Sequence, residues 1–301
     1  MKRRLIKQGA DALTVTVPKE WTKLHHLASG DEIEVKVEGA MLLIQAQPSS
    51  QKTKTKVYLS KNNKNLHRLL LAQAYRSGFA EIEVRYDHAS QLHSIYALIE
   101  ELLGMEIVQQ KEKTLILQSV AIPDYQQYDT LLRRMFHIIE TGFSYLLTDA
   151  QSGERDLPKM DALQKNLLRN SNFCIRVLYN YPFENKNKVF AEQVMIKITD
   201  YVMSELRQVY SFLPKKVSNK SMKYLTDCQE FFFSITEAIF KNNQEALTKL
   251  QTQKQDYFDH KEKIFLDADK KEYLLIQEIS ILLRLLTLFA GPITSSSLKQ
   301  E

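Results

Sequence analysis

The feature that most constrains the fold is a helical hydrophobic pattern that runs from Asp124 almost to the end of the chain. Apolar residues recur there at three- and four-residue steps, as in the stripe from Leu131 to Leu146, a period typical of amphipathic helices. The 301 residues contain only 8 glycines and 7 prolines, which favours long helices over a loop-rich β fold. We predict an all-helical region over 124–293, with a turn at 149–159, later helices over 161–179, 183–212, 222–240, 244–266 and 271–290, and a stop at Gly291-Pro292.

Composition places the chain among ordinary globular proteins of a reducing compartment. The two cysteines, Cys174 and Cys228, lie in predicted helices and form no C-x-x-C pair, so we expect buried thiols and a cytoplasmic location. The N-terminus is basic but no apolar run follows it, which argues against a signal peptide. The most apolar stretch, 274–290, contains Gln277, Glu278 and Arg284 and predicts a buried helix rather than membrane insertion.

The first 47 residues have a different, mostly period-two pattern. Alternating apolar residues predict strands over 13–17, 32–37 and 41–44, and Pro18 suits the start of a short helix over 18–24. A β–α–β–β unit of this size is too small to bury a sufficient core alone. It carries no disulfide or metal motif, so we expect two chains to exchange strands in a homodimer.

The residues of this unit resemble the AbrB/MazE/SpoVT swapped-hairpin family. The resemblance rests on the segments Leu13-Thr-Val-Thr-Val-Pro-Lys-Glu-Trp21 and Leu27-Ala-Ser-Gly-Asp-Glu-Ile-Glu-Val35. It implies an interleaved dimeric β-barrel over 1–47 that binds double-stranded DNA through basic residues. The positions that match are Lys7 and Lys23, with Arg3, Arg4 and Lys19 as helpers.

Other positions qualify that resemblance. Pro18, Gly30 and Asp31 are interpreted as residues that determine the fold, and Gly30 is expected to adopt a turn conformation that a β-carbon opposes. Thr14 and Thr22 stand where the family often has basic residues, although a threonine can hydrogen-bond a phosphate. The alternative for Arg3, Arg4 and Lys7 is a solvated strand edge that prevents aggregation.

Strands and helices alternate in the middle segment, which predicts a small α/β sandwich over 56–120. The polar stretch 47–55 is interpreted as a linker. No acidic residue occurs between Glu38 and Glu81, and the cations of this window either extend a DNA-binding surface or belong to a solvated linker. The segments Ala74-Tyr-Arg-Ser-Gly-Phe79 and Leu103-Gly-Met-Glu-Ile107 resemble the linker domain of archaeal PhoU-like regulators.

The helical part resembles the archaeal PhoU family, through its six predicted helices and the segment Leu131-Leu-Arg-Arg-Met-Phe136. This resemblance implies two three-helix bundles and, in the family, metal binding through E/D-x-x-x-D motifs. Here the partner of Asp161 is Lys165 and the partner of Asp200 is Ile196. A hard cation needs several oxygen ligands on one face, so we expect no metal and no other cofactor.

Catalytic motifs are missing from the sequence: it contains no P-loop, G-x-G-x-x-G, G-x-S-x-G or H-E-x-x-H. We therefore expect a non-enzymatic multidomain α+β protein: a DNA-binding transcriptional regulator of archaeal type, linked through the PhoU resemblance to phosphate uptake, with a possible protein partner at the helical domain. The alternatives are a protein-interaction regulator that no longer binds DNA, an antitoxin-like protein and a metal-dependent enzyme. The net charge of +5 permits a nucleic-acid partner without requiring one.

Overall fold

The structure is a computed structural model, and it describes residues 2–9, 12–38, 41–46, 54–60, 63–120, 127–180, 186–241, 244–266 and 270–297. The chain divides into two compact units, Met1–Lys52 and Thr53–Glu301. Most described residues are helical, and the strands form small sheets. The predicted linker over 47–55 lies outside the described residues except for Lys54 and Thr55, which begin a strand.

The N-terminal unit contains two antiparallel hairpins and one short helix. Strand β1 pairs with β2, and β3 pairs with β4, so that this unit of a single chain holds two separate two-stranded sheets. The pairing of β3 and β4 keeps Val35 opposite Ile44 and Val37 opposite Leu42. The elements are β1 (Ile6–Gln8), β2 (Ala12–Thr14), α1 (Lys19–Leu24), β3 (Ile33–Glu38) and β4 (Met41–Ala46).

The second unit begins with a two-layer α/β sandwich. Its four strands lie in the order β5-β6-β8-β7, with β5 parallel to β6 and the other neighbours antiparallel. Alternate residues such as Val57, Ile82, Val84, Leu115 and Leu117 are buried, because two helices pack on that face of the sheet. The elements are β5 (Lys54–Leu59), α2 (Lys64–Arg76), β6 (Glu81–Tyr86), α3 (Leu92–Ile99), β7 (Met105–Lys111) and β8 (Thr114–Ser119).

The remaining helices share one continuous hydrophobic core. Phe136 on the first of them packs against Phe232, with ring centroids 5.8 Å apart, which joins the first three helices to the later ones. Both cysteines are free and buried, as the sequence predicts. The elements are α4 (Tyr128–Ser152), α5 (Leu157–Asn180), α6 (Lys186–Ser211), α7 (Asn219–Lys241), α8 (Gln244–Leu266), α9 (Tyr273–Thr287) and α10 (Ala290–Ser297).

Two predicted boundaries are wrong. The turn predicted over 149–159 is confined to 153–156, where Gly153 ends α4 in the left-handed region with φ of +76°. Gly291-Pro292 does not end the helical region, because both residues lie in the first turn of α10. A proline is tolerated there since the first N–H groups of a helix have no partner within the helix. Helix α10 continues to Ser297.

Buried polar contacts join the sandwich to α5. Arg176 donates to the backbone carbonyls of Tyr75 and, at 3.2 Å, of Phe79, and its guanidinium lies 4.6 Å from the centroid of the Tyr75 ring. Arg76 Nε donates to Asn172 Oδ1 at 2.9 Å. Both arginines are buried. These contacts explain why the sandwich and the helical part belong to one compact unit.

The candidate DNA-binding surface

The basic residues of the N-terminal unit lie on β1, just before it, and on α1. Across the first hairpin Lys7 pairs with Leu13, which places both side chains on one face of the two-stranded sheet. On α1, Lys19 and Lys23 are four residues apart and share a face of the helix. The structure leaves all five predicted DNA-contacting side chains exposed, namely Arg3, Arg4, Lys7, Lys19 and Lys23.

Pro18, Gly30 and Asp31 organise the chain around α1. Pro18 precedes the first helical residue with extended backbone angles. Gly30 has φ of +98°, a conformation that L side chains rarely adopt. Asp31 Oδ2 accepts a hydrogen bond of 2.6 Å from the Ala28 backbone N–H, so its carboxylate closes the turn after α1. These three residues set the local path of the chain and do not add positive charge to the surface.

Thr14 and Thr22 use their hydroxyl groups within the chain. Thr14 Oγ1 donates to the Ile6 carbonyl at 3.2 Å, and Thr22 Oγ1 donates to the Lys19 carbonyl at 3.1 Å. A hydroxyl group has one proton to donate, so neither threonine donates to a phosphate while these bonds persist. In this conformation the two threonine hydroxyls therefore do not substitute for the missing basic side chains as donors to phosphate.

Charge is unevenly distributed along the N-terminal unit. Up to the end of α1 the sequence has six cations, Lys2, Arg3, Arg4, Lys7, Lys19 and Lys23, against the two acids Asp11 and Glu20, whereas from residue 31 to 38 it has the four acids Asp31, Glu32, Glu34 and Glu38 against Lys36. The part built from β1, β2 and α1 is therefore the basic part, and the β3–β4 hairpin is the acidic one. A surface with segregated charge attracts a polyanion more strongly than the net charge suggests.

The same unit exposes an unusual amount of apolar surface for its size. The exposed fraction reaches 76% for Val37 and 70% for Leu24. Among the residues of this unit whose side-chain exposure the structure describes, only Ala46 is buried. A single copy thus leaves its strand residues without a core; the other exposed large apolar residues are Leu5, Ile6, Leu13, Val35 and Leu42.

Four cations of the segment between Glu38 and Glu81 form structural contacts in the second unit. Lys54 Nζ lies 3.0 Å from Glu81 Oε1, and Lys56 Nζ lies 3.3 Å from Glu83 Oε2. Arg68 pairs with Glu101, and Arg76 is buried. Lys54 and Lys56 do not belong to a solvated linker, because both lie in β5. Their ion pairs with Glu81 and Glu83 on β6 also offset part of their positive charge.

The two carboxylates of the eroded acidic motifs contact cations of the protein. Asp161 forms an ion pair with Arg207. Asp200 accepts from Lys197 Nζ and Ser171 Oγ, each at 3.0 Å, and burial raises its pKa despite these partners. Within the described ranges, no three histidine, cysteine, aspartate or glutamate side chains come together as a possible metal site. The sequence predicts no metal ion at Asp161 and Asp200, and their observed partners are a guanidinium, an ammonium and a hydroxyl group.

The widest cleft of those described in the helical part lies between α7 and α8 and has a volume of about 590 Å³. Its wall carries charges of both signs, including Lys220, Lys223, Asp227 and Asp256. Burial raises the pKa of Asp227, and Lys223 opposes that shift. The described lining residues include no serine, cysteine or histidine.

Comparison of the chain with known protein families, with curated proteins and with solved structures found no match.

Proposed function

We propose that the protein is a DNA-binding transcriptional regulator that acts as a homodimer through its N-terminal unit. The observation that carries the proposal is the coincidence of exposed cations with an uncovered apolar surface in residues 2–46. The cations provide contacts for a phosphate backbone, and the apolar strands need a second chain to bury them. The resemblance to the swapped-hairpin family connects these two properties in one dimeric barrel.

Dimerisation doubles the basic surface. The five predicted DNA-contacting cations of each chain become ten in a two-fold dimer, and each phosphate contact releases a counterion from DNA. If all ten contacted phosphates, the logarithm of affinity would fall with the logarithm of salt concentration with a slope on the order of −9. A two-fold dimer also favours a pseudo-palindromic site, because each chain presents the same surface to one half-site.

The hydroxyl bonds of Thr14 and Thr22 limit what this surface recognises. Because both hydroxyl protons are donated to backbone carbonyls, DNA affinity depends on Arg3, Lys7 and Lys23 and their neighbours rather than on threonine contacts. Phosphate contacts position a protein on DNA but do not read the base sequence. Salt-sensitive binding with modest sequence preference is the expected behaviour.

The second unit supplies the regulatory part in this proposal. Its helices, with the sandwich held on α5 by Arg76 and Arg176, provide a rigid body for a signal or a protein partner. The link to phosphate uptake rests on the PhoU resemblance alone, as does the archaeal type. A cytoplasmic location belongs to the same proposal.

Fluorescence anisotropy of the full chain with fragments of its own upstream region, over a salt series, tests the proposal. We expect sub-micromolar binding with a steep negative salt slope. The double variant Lys7→Glu/Lys23→Glu should lose this binding, while Lys215→Glu/Lys216→Glu, which changes the same number of exposed lysines in the second unit, should keep it.

The contrary result is also informative. If the full chain is a dimer and shows no binding at low salt, DNA is not its partner. The exposed apolar surface around Val37 and Leu24 would then favour the interaction regulator, whose partner is a protein. Equal losses in both double variants would mean that binding follows total charge rather than the N-terminal surface.

A further inference from the structure

A second, smaller cleft opens in the helical part where α4 and α6 begin, α7 ends and α10 begins. Its volume is about 270 Å³. Sites for drug-sized ligands usually measure about 300–1,000 Å³, so this cleft suits a smaller molecule. The apolar part of its wall consists of Leu132, Met195, Ala238, Ile239, Phe240 and Ile293.

Of the ionisable side chains that line this cleft, Glu192 is the most deeply buried, with an exposed fraction of 7%. Its Oε2 accepts a hydrogen bond of 2.7 Å from the Tyr128 hydroxyl, and Lys188 Nζ lies 3.7 Å from its Oε1. The second distance is longer than a hydrogen bond, so Oε1 can still accept from a closer donor. The described lining includes Lys188 but not Tyr128, which places Oε1 on the side of the cleft.

The other charged side chains of the described lining are exposed, so they lie at the mouth of the cleft. Asp129 and Arg133 are one helical turn apart on α4, and Lys188 is on α6. The guanidinium of Arg133 lies 4.3 Å from the centroid of the Phe240 ring, a cation–π contact that holds it beside the apolar wall. An entering molecule therefore passes two cations and meets a carboxylate at the bottom.

We propose that this cleft binds a small zwitterion of the α-amino-acid type with an apolar side chain. The ammonium group of the ligand donates to Oε1 of Glu192. Its carboxylate accepts from Arg133 and Lys188 at the mouth. Its side chain packs against the apolar wall, which buries its surface away from water.

The balance of charge favours a zwitterion over a ligand with one charge. The described lining carries two carboxylates, Asp129 and Glu192, and two cations, Arg133 and Lys188. An apolar amine gains the carboxylates but is repelled by both cations, and an apolar carboxylate gains the cations but is repelled by both acids. Such repulsion discriminates between ligands, and it is screened less in a partly buried site than in open solvent.

The cleft lies wholly within the second unit of the chain. None of its described lining residues belongs to the N-terminal unit that carries the candidate DNA-binding surface. Binding of the zwitterion therefore does not require that the chain binds DNA, and the two properties are measured separately.

Isothermal titration calorimetry of the full chain tests the site, with L-leucine, L-methionine and L-phenylalanine as probes. We expect saturable binding of at least one of them, with a Kd of about 1 mM or below. The matched amine without the carboxylate and the matched acid without the ammonium group should each bind more weakly by about tenfold or more, because each leaves charged groups of the cleft unpaired. For L-leucine these controls are 3-methylbutylamine and 4-methylpentanoate.

Two variants locate the binding. Glu192→Gln removes the charge at the bottom but keeps an acceptor for Tyr128, and it should weaken amino-acid binding by about tenfold or more. Arg133→Gln changes an exposed side chain at the mouth and should weaken it about two- to fivefold, as expected for an exposed charge pair, without weakening the amine. Arg134→Gln, at the next exposed arginine and outside the described lining, is the matched control and should bind like the parent.

Circular dichroism shows whether Glu192→Gln is folded, and if it is not, the comparison of Arg133→Gln with Arg134→Gln decides alone. Absence of saturable binding for all three amino acids overturns the proposal. Equal affinity for the amino acid and its matched amine, or its matched acid, would make the ligand a simple cation or anion and overturn it as well. Equal losses in the two arginine variants would place the binding elsewhere on the chain. DNA binding by the same preparation reports the proposed function separately, so either proposal can fail without the other.

Discussion

Gly78 and Asn180 approach each other so closely that a β-carbon on residue 78 would lie 1.8 Å from Oδ1 of Asn180. Gly78 also has φ of +86°, in the region that favours glycine. The Asn180 side chain is held in place by donating to the Arg176 carbonyl at 2.6 Å. The end of α2 and the end of α5 therefore meet at a position that only glycine accommodates.

The first prediction concerns this contact. We expect Gly78→Ala to lower the free energy of unfolding by about 2–4 kcal/mol, combining backbone strain with overpacking. Urea unfolding of the full chain measures the loss. The double variant Gly78→Ala/Asn180→Ala should recover the steric part and keep the strain, so an equal loss with and without the Asn180 side chain would contradict the contact.

Arg176 gives a second prediction at the same junction. Replacing it with methionine keeps an apolar chain of similar length but removes the donors to the carbonyls of Tyr75, Gly78 and Phe79. Buried acceptors without donors are costly, and we expect a loss of about 2–4 kcal/mol in the free energy of unfolding. Hydrogen exchange should quicken near residues 76–80, and Arg176→Lys should lose less. Unchanged exchange there would show that Arg176 does not stabilise the junction.

A third prediction follows from the buried Glu272, which lies just before α9 and caps α7. Its carboxylate accepts from the Ser218 N–H at 2.7 Å, from Ser218 Oγ at 2.6 Å and from Ser221 Oγ. Glu272→Ala removes these acceptors and a negative charge near a helix N-terminus, and should cost about 2–3 kcal/mol of unfolding free energy. Glu272→Gln should be intermediate in thermal unfolding. Equal stability of all three proteins would rule out the cap.

The fourth prediction is a pH dependence at Glu205. Burial, followed by hydrogen bonding and repulsion from Glu278, raises the pKa of Glu205 to about 8. Because the folded pKa exceeds the unfolded value of 4.5, stability is fully present below pH 4.5 and is lost as the pH rises to about 8. Glu205→Gln should therefore match the parent at pH 4.5 and exceed its stability at pH 9.

Urea titrations at several pH values measure whether the stabilisation by Glu205→Gln increases as the pH rises. Glu237→Gln is the control, because the ion pair with Lys241 lowers rather than raises the pKa of that exposed glutamate. It should show no stabilisation as the pH rises from 5 to 9. A constant difference between Glu205→Gln and the parent over that range would contradict a proton held between Glu205 and Glu278.

The sequence predicted the existence of the helices well and their ends less well. The bounds of α8 coincide with the predicted 244–266, because its period is uninterrupted. The predicted turn at 149–159 was too long, because Asp149 is buried and its carboxylate binds the Tyr210 hydroxyl and Lys159. These partners lie on α6 and α5, so tertiary contacts stabilise Asp149 within helix α4, which continues beyond it.

For the candidate DNA-binding surface too, some features were predictable from the sequence and others required the structure. The basic residues were readable from the sequence, and the structure leaves those side chains exposed. The predicted β–α–β–β order lacks one strand, because β1 (Ile6–Gln8) precedes the first predicted strand. The hydroxyl bonds of Thr14 and Thr22 were not readable, because they depend on which carbonyl the local fold brings near. The pairing of Lys54 and Lys56 with Glu81 and Glu83 likewise required the parallel register of β5 and β6.

By itself, the sequence determined the type and order of most elements, because helices and strands impose the local periods of 3.6 and 2 residues on the apolar side chains. Only the tertiary structure decided that the sandwich is fixed to α5, that Arg76 and Arg176 are buried, and that α9 has an exposed side. Those features depend on contacts between residues far apart in the chain, and no local period encodes them.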